Sequence, residues 1–440
     1  MKKAFLAICL IASLAQADTP NERGIAALNR GECEEALKLF DRALKLDPKN
    51  AEAQKNRGNV FYCQGDYKNA IINYNKAIAI DKNYVVPYVN IGNSYLGMGD
   101  TDTALKYYNE AIKIDPSYAT AYRKRAIAYE GINDYNRSIA DYTQAIALEP
   151  NNPYLYYYRG YLYYDIDEYE KAIADYTRAI AIAPNYVAAY NNRGDSYRIL
   201  KEYDKAIEDF SKALKISPES TIPLWNRGRT YIKLDKKEKA LKDFANALAL
   251  DPNFKRVYVS RSGLYMQLGE YQNAIADYTR LIELDGNKTD ASRYIDRGFA
   301  YANLKKHKEA IEDYKKALAL DENATAWLYY SIGASYSKLN DYKTAIGFYD
   351  RSLEKNASYT NAYFDRGFAY WTFDDFPNAI ADFSKVIELN SSSITAYVNR
   401  GGVYFQSGDL KRASLDAKRA CDLGDCRALE HLKNRGAFTE

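Results

Sequence analysis

Residues 187–220 read VAAYNNRGDSYRILKEYDKAIEDFSKALKISPES, and this stretch decides the fold. Val187, Tyr190, Tyr197 and Leu200 recur at helical spacing. Lys201-Glu202-Tyr203-Asp204 then turns the chain. A second helix is predicted from about Asp204 to Ile216, with Ala206, Ile207, Phe210, Ala213 and Leu214 on one face. Ser217-Pro218 stops it, because proline has no N–H to donate and its ring disfavours helix in the residue before it. Gly194 and Ala206 are small, and two helix backbones approach closely only where side chains are tiny.

The flanking sequence repeats this stretch. From Gly58 to Gly160 is three periods of 34 residues, and Gly194 and Gly228 follow at one period each. Twelve repeats start at Ala17, Ala51, Val85, Ala119, Pro153, Val187, Thr221, Lys255, Ala291, Ala326, Thr360 and Ile394. Two residues are inserted before the ninth and one before the tenth. A fixed period of this size predicts a stack of like supersecondary elements, each burying its apolar face on its neighbours. The expected fold is all-α, a solenoid of about twelve 34-residue helix–turn–helix repeats.

The pattern resembles the tetratricopeptide repeat family. That family has an aromatic at repeat position 4, Gly at 8, Tyr at 11, Ala at 20, an aromatic at 24, Ala at 27 and Pro at 32. Repeat six supplies Tyr190, Gly194, Tyr197, Ala206, Phe210, Ala213 and Pro218. Departures are local: Ala126 and Ser262 stand for Gly, repeats eight to twelve lack the proline, and Ala417 replaces the last aromatic. The resemblance covers Ala17 to about Arg427. It implies a right-handed superhelix whose first helices line a concave groove, and protein or peptide binding without catalysis.

The chain opens with Met1-Lys2-Lys3, an apolar run from Ala4 to Leu14, and the small-x-small site Ala15-Gln16-Ala17. Residues 1–17 are therefore expected to be a signal peptide, with the mature chain starting at Asp18. The run is too short to span a bilayer, and Ile8 is too bulky to precede a lipidated Cys9. The expected location is the bacterial periplasm, with residues 18–427 forming the solenoid and 428–440 a C-terminal cap or tail. No other segment reads as membrane-crossing. The formal charge of +3 falls to +1 once Lys2 and Lys3 are removed, which leaves no footprint for nucleic acid or an anionic surface. Cys33, Cys63, Cys421 and Cys426 remain after Cys9 leaves. An even set in an oxidising compartment predicts two disulfides, Cys33–Cys63 and Cys421–Cys426; the alternative is four free thiols.

The repeats can be compared with one another. Position 7 is Arg in ten of them, and position 23 is Asp in eight of those ten, as in Arg159 with Asp175 and Arg193 with Asp209. Repeat two pairs Arg57 with Asn73. Where position 7 is Ile (Ile91, Ile332), position 23 is aromatic (Tyr107, Phe348). The two positions change together, which predicts contact between the helices of one repeat. A lone buried Arg is costly, and a guanidinium matches a carboxylate with two hydrogen bonds. Repeat one departs, with Arg23 opposite Leu39. These charges read as scaffold.

Nothing in the sequence reads as catalytic or cofactor-binding. His307 and His431 have no Cys or His neighbour at metal-ligand spacing. No glycine-rich phosphate loop follows a strand. Most of the 44 tyrosines fall at packing positions, but Tyr154, Tyr157, Tyr158, Tyr161 and Tyr164 share one stripe on the first helix of repeat five. That stripe lies opposite the stripe of positions 4, 7, 8 and 11 that packs into the stack, and clustered exposed tyrosine suits recognition. The same stripe on neighbouring repeats carries Arg123, Lys124, Asn191, Arg198, Trp225 and Arg229. A peptide-binding groove is expected there; the alternative is that the superhelix or a terminal tail fills it.

Members of the family that act as chaperone adaptors clamp a peptide carboxylate with Lys and Asn four apart and a second Asn 31 later. Lys55, Asn59 and Asn90 fit that spacing, with Thr120 in place of the next Lys and Lys124 where Arg is usual. Coincidence is the alternative, because Asn is common at these positions. Asn136, Asn287, Asn323, Asn356 and Asn390 each sit in N-x-Ser/Thr with an acidic residue two before, the pattern of some bacterial glycosylation systems. Helix ends select the same residues anyway. The functional expectation is a non-catalytic scaffold in the cell envelope that holds a protein or extended peptide in its groove, with no small-molecule substrate. The rival is a passive bridge between envelope proteins through the convex face.

Overall fold

The computed structural model describes residues 19–321 and 323–437. The segment read as a signal peptide, residues 1–17, lies outside the described residues. Among those described, the chain forms twelve consecutive helical pairs, a closing helix Arg427–Asn434 and no strand. No described helix is long and apolar enough to cross a membrane. The chain divides into two compact units, Met1–Thr230 and Tyr231–Glu440. Each is a run of antiparallel helical pairs stacked in chain order.

Repeat six shows how one pair is built. Its helices are Val187–Ile199 and Tyr203–Ile216. Ala189, Gly194 and Ser196 of the first meet Ala206, Phe210 and Ala213 of the second, all buried. The turn between them puts Lys201 in the left-handed region, at φ 64°. The same place holds Gly31, Gly65, Gly99, Gly269 and Gly408 in five repeats, and Asn or Asp in most of the others. Glycine has no Cβ to clash there, and short polar side chains tolerate it best of the rest. One residue on, Asp66, Asp100, Asp134, Asp341, Asp375 and Asp409 accept a hydrogen bond from the N–H three residues later and so cap the second helix.

The position 8 glycine exists for the ring at position 24. A Cβ added at Gly58 would stand 2.5 Å from the ring of Tyr74, and at Gly194 2.8 Å from that of Phe210. Phe40, Tyr74, Tyr108, Tyr142, Tyr176, Phe210, Phe244, Tyr314, Tyr349 and Phe383 are almost completely buried. Phe40, Tyr108, Tyr176, Tyr314, Tyr349 and Phe383 likewise lie against the position 8 glycine of their own repeat. The inserted residues before repeat nine form a short 3-10 turn, Gly286–Lys288, that absorbs the break in register.

The position 7 and position 23 partners meet as their covariation requires. Arg193 Nε and Nη2 donate to the two oxygens of Asp209, both at 2.7 Å. Arg125–Asp141, Arg159–Asp175, Arg261–Asp277, Arg297–Asp313, Arg366–Asp382 and Arg400–Asp416 repeat the bidentate geometry. Burial pushes the Asp209 carboxyl above its ordinary value. Burial pulls Arg193 down, but its bonds and charge contact with Asp209 outweigh that and leave it raised. A carboxylate accepting through both oxygens is unprotonated, so the pair is ionised. Where Ile91 and Ile332 replace Arg, Tyr107 stacks on Tyr95 and Phe348 on Tyr336, each at 5.6 Å.

Cys421 and Cys426 are disulfide-bonded, across the break between the last pair and the closing helix. Cys33 and Cys63 are free thiols, which corrects the expectation of a second bridge. Cys33 packs into the apolar cluster of repeat one with Ile25, Leu28 and Leu37, whereas Cys63 is exposed at the end of its helix.

Candidate functional site

The tyrosine helix of repeat five, Pro153–Asp165, starts from Asn152, whose side chain accepts from the Tyr154 N–H, and from Pro153 at its first position. Leu155, Tyr156, Gly160 and Leu162 face the stack. The stripe singled out in the sequence divides into two sets. Tyr154, Tyr158 and Tyr161 are exposed, at 57%, 42% and 39%. Tyr157 and Tyr164 turn toward repeat six. The Tyr157 ring lies 5.0 Å from Tyr186 and 5.9 Å from Tyr176, and its hydroxyl accepts from Asn192 at 3.2 Å. The Tyr164 hydroxyl donates to Asp195 at 2.6 Å, and burial raises its pKa.

These two tyrosines belong to a ladder that joins first helices along the chain. Asn56 donates to Asn21, Asn90 to Asn59, and Asn226 to Asn191, each at 3.1 Å. Tyr330 donates to Asp365 at 2.8 Å. The rungs run from positions 5, 9 and 12 of one repeat to positions 6 and 9 of the next or the reverse. They explain why Asn is common there. Asn191 and Arg198, placed in the groove by sequence, are therefore engaged within the chain: Arg198 pairs with Asp195 at 2.7 Å, with both side chains largely buried. Of the clamp residues, Asn59 accepts from both Asn90 and the Tyr74 hydroxyl, and Lys55 donates to Asn56 at 2.6 Å. Their polar atoms serve the ladder.

What remains outward around repeat five is a mixed patch. Arg123 and Lys124 are half-buried and form no ion pair among the described residues. Burial, then the charge of Arg123, pulls the Lys124 ammonium below its ordinary value. Tyr158 stacks at 6.1 Å on the buried Tyr142, whose hydroxyl has no partner. At the other end of the tyrosine stripe stand Glu130 and Asp165. Burial and then Asp165 raise the Glu130 carboxyl, and burial raises Asp165. The charge of Asp165, then burial and Glu130, raise the Tyr161 hydroxyl. Sequence reasoning missed both acids, because acidic residues at helix ends are what solvent-facing positions ordinarily hold. Arg229 lies 4.5 Å over the Trp225 ring. Clefts of about 510 Å³ beside Tyr157 and about 410 Å³ beside Tyr154 adjoin the patch.

The arrangement offers exposed aromatic rings and charged groups of both signs. Among the described residues no group of His, Cys, Asp and Glu is placed to hold a metal ion. His307 opens the second helix of repeat nine; burial and then Lys338 lower its pKa. Asn136, Asn287, Asn323, Asn356 and Asn390 are all exposed. Asn136 lies in the first turn of a helix, whereas the other four lie between repeats. Asn356 and Asn390 accept from the N–H two residues on, which holds the inter-repeat turn.

Family models described as tetratricopeptide repeat match residues 21–84 and 123–187, 85–118 and 187–220, 223–254, 255–288 and 360–393, and 289–357. Among solved structures, YrrB, described as a TPR protein with an unusual peptide-binding site, is 24% identical, covers 43% of this chain and 97% of its own, and has a TM-score of 0.39. MamA from Desulfovibrio magneticus is 25% identical over 40% of this chain and 97% of its own, with a TM-score of 0.37. A tetratricopeptide repeat protein from Parabacteroides merdae is 20% identical over 57% and 98%, with a TM-score of 0.44. No curated protein sequence matches the chain.

Proposed function

The chain belongs to the tetratricopeptide repeat family, and from that premise we propose that it is a non-catalytic scaffold that holds a protein or extended peptide against the first helices of repeats four to seven. The observation that carries this reading is the exposure of Tyr154, Tyr158 and Tyr161 together. Packing accounts for the tyrosines that recur in other repeats, but these three stand on a face that the stack leaves open. Rigid aromatic rings with a polar tip give contact area at low entropic cost.

The charges beside them add direction. Arg123 and Lys124 lie at one end and Glu130 and Asp165 at the other, so the partner segment carries acidic side chains at one end, apolar or aromatic ones in the middle and a basic group at the other. The basic end costs least to satisfy, because Lys124 and Arg123 already repel each other and a carboxylate relieves both. The protein works in the cell envelope after export, on the strength of the leader-like residues 1–17 and the Cys421–Cys426 disulfide.

The test is a double truncation, Tyr158→Ala with Tyr161→Ala, in protein taken from its host. Partners crosslinked to the wild type should be lost, with a cost of roughly 2 kcal/mol or more in affinity if these are anchor residues. An unchanged set of partners would refute the site. An intact mass that does not begin at Asp18 would refute export by the predicted cleavage.

A further inference from the structure

The turns that join one repeat to the next change character within the second unit. In the seven turns up to Phe254, position 32 is proline in six, and none contains N-x-Ser/Thr. The four turns that follow each contain it, at Asn287, Asn323, Asn356 and Asn390, and none has the proline. Turn geometry does not ask for the change. Asp47, Asp81, Asp115, Asp251 and Asp321, all at position 31, accept the N–H two residues on. Asn356 and Asn390 stand at the same position and accept the same bond, at 2.9 and 3.1 Å. Aspartate serves that bond equally well and has no amide nitrogen. The acid two residues before moves with the asparagine. Asn323 is at position 33 and its acid, Asp321, at 31; Asn356 and Asn390 are at 31 and their acids, Glu354 and Glu388, at 29. Position 29 is Lys or Ala in repeats one to seven and in repeat nine. It lies in the last turn of the second helix, whose carbonyl end favours a cation over a carboxylate. Glu354 and Glu388 therefore run against what the helix prefers, and they keep a spacing to asparagine that the fold does not set.

We propose that Asn323, Asn356 and Asn390 are N-glycosylated on the folded chain. Antiparallel pairs stacked in order bring successive inter-repeat turns to the same edge, so the three sugars stand in a row. The donor is an oligosaccharide on a lipid diphosphate, brought by a transferase. The asparagine amide nitrogen bonds to the anomeric carbon, and the bond from that carbon to the diphosphate oxygen breaks. The lipid diphosphate leaves, and the amide gives one proton to a base of the transferase. Such an enzyme reads the amide, the hydroxyl two residues on and the carboxylate two before. Asn323, Asn356 and Asn390 are exposed, as are Thr325, Ser358 and Ser392. Thr325 starts a helix, yet its hydroxyl makes no capping bond. Ser392 donates to the Asn390 amide oxygen at 2.8 Å, which does not engage the nitrogen. Glu388 pairs with Lys385 at 2.7 Å, an exposed contact that parts at little cost. The fold withholds the other two asparagines. Ser138, two after Asn136, is fully buried and donates to Ala126 O at 2.9 Å. Thr289, two after Asn287, is half-buried and its hydroxyl donates to Gly286 O at 2.6 Å. The proposal rests on export, one part of the function proposed above, and not on the tyrosine face.

The full chain, expressed with its leader in its own host, is purified from whole cells. Intact mass gives the first residue and the added sugar, and electron-transfer fragmentation of glycopeptides locates it. The expected chain starts at Asp18 and carries the same oligosaccharide on Asn323, Asn356 and Asn390, with Asn136 and Asn287 bare. Asn356→Asp keeps the turn bond that five other repeats make, and Glu354→Ala installs a residue common at position 29. Each variant should lose one oligosaccharide mass, from Asn356 alone, with melting unchanged. A chain that starts at Asp18 and carries no sugar would overturn the modification and leave export standing. One that keeps residues 1–17 and carries no sugar would overturn both. Sugar on Asn136 or Asn287 at the level of the other three would show that the fold does not select the acceptors. Sugar at Asn356 that survives Glu354→Ala would show that the acid is not read. Either result overturns the proposal.

Discussion

Arg193→Ala removes a guanidinium that bonds Asp209 twice and the Thr177 hydroxyl of the preceding repeat once, at 2.9 Å. Thr177 is exposed and finds water, so its loss is small. Asp209 does not: its side chain is 5% exposed, against 17% for Arg193. Breaking a buried pair by removing one partner costs about 3–5 kcal/mol, because the other charge is left desolvated. The residual exposure of Arg193 lets some water reach the carboxylate, which places the expected cost near 3 kcal/mol. Arg193→Ile with Asp209→Tyr imports the pair of repeat three, where Ile91 is buried and Tyr107 stacks on Tyr95. In repeat six the new ring meets Tyr197, and the cost should fall to about 1 kcal/mol or less, as for replacement of a buried ion pair by packed apolar groups. A repeat stack need not unfold in one step, so a single melting temperature is a blunt measure. Amide hydrogen exchange resolved to residues 187–216 reads the local loss directly. Equal losses of protection in the single and double variants would show that the two residues are not coupled and would refute the reasoning.

Tyr157→Ala should destabilise repeats five and six by about 2 kcal/mol, a half-buried share of the cost of deleting a core ring, whereas Tyr161→Ala should stay within about 0.5 kcal/mol; thermal and urea melts of the two variants compare them. Without reductant, alkylation should modify two thiols, Cys63 before Cys33, and leave Cys421 and Cys426 untouched; four modified thiols would contradict the bridge. Asp425 is held down at about 2 by the side-chain bond and then the N–H of Arg427. Its folded pKa lies below its ordinary value of 3.8, so its contribution is present above that value and lost as pH falls through about 2. The helix Arg427–Asn434 should therefore loosen across that interval, seen as broadening of the His431 resonances, and Asp425→Asn should remove the dependence.

The period, the helical pairs and the Arg–Asp contacts were legible because the chain states each of them many times. A contact that changes chemistry in step at both ends, Arg with Asp and Ile with an aromatic ring, can be read without coordinates. The third arm of each arginine could not be. Arg125, Arg159, Arg193, Arg366 and Arg400 also reach the preceding repeat, and their acceptors there are Asn109, Thr143, Thr177, Asp350 and Ser384. Any short side chain with an oxygen serves at that place, so no residue type marks it. The helical wheel misplaced Tyr157 and Tyr164 for a related reason. It took positions 4, 7, 8 and 11 as the whole of the packing stripe and the opposite stripe as open, but the next first helix also claims part of that stripe, through Asn192 and Asp195. Exposure is then decided by side-chain length and by what stands one period later, which leaves Tyr154, Tyr158 and Tyr161 outside. Ala417 shows the same limit from the other side. Its departure from the pattern is visible in the sequence, but whether a missing ring leaves a cavity depends on how far its neighbours relax, as the spread of large-to-small substitutions teaches. Here Ala413 and Ala417 are buried in one cluster with Tyr404 and with Leu432 of the closing helix, so the closing helix covers the place that the ring vacates.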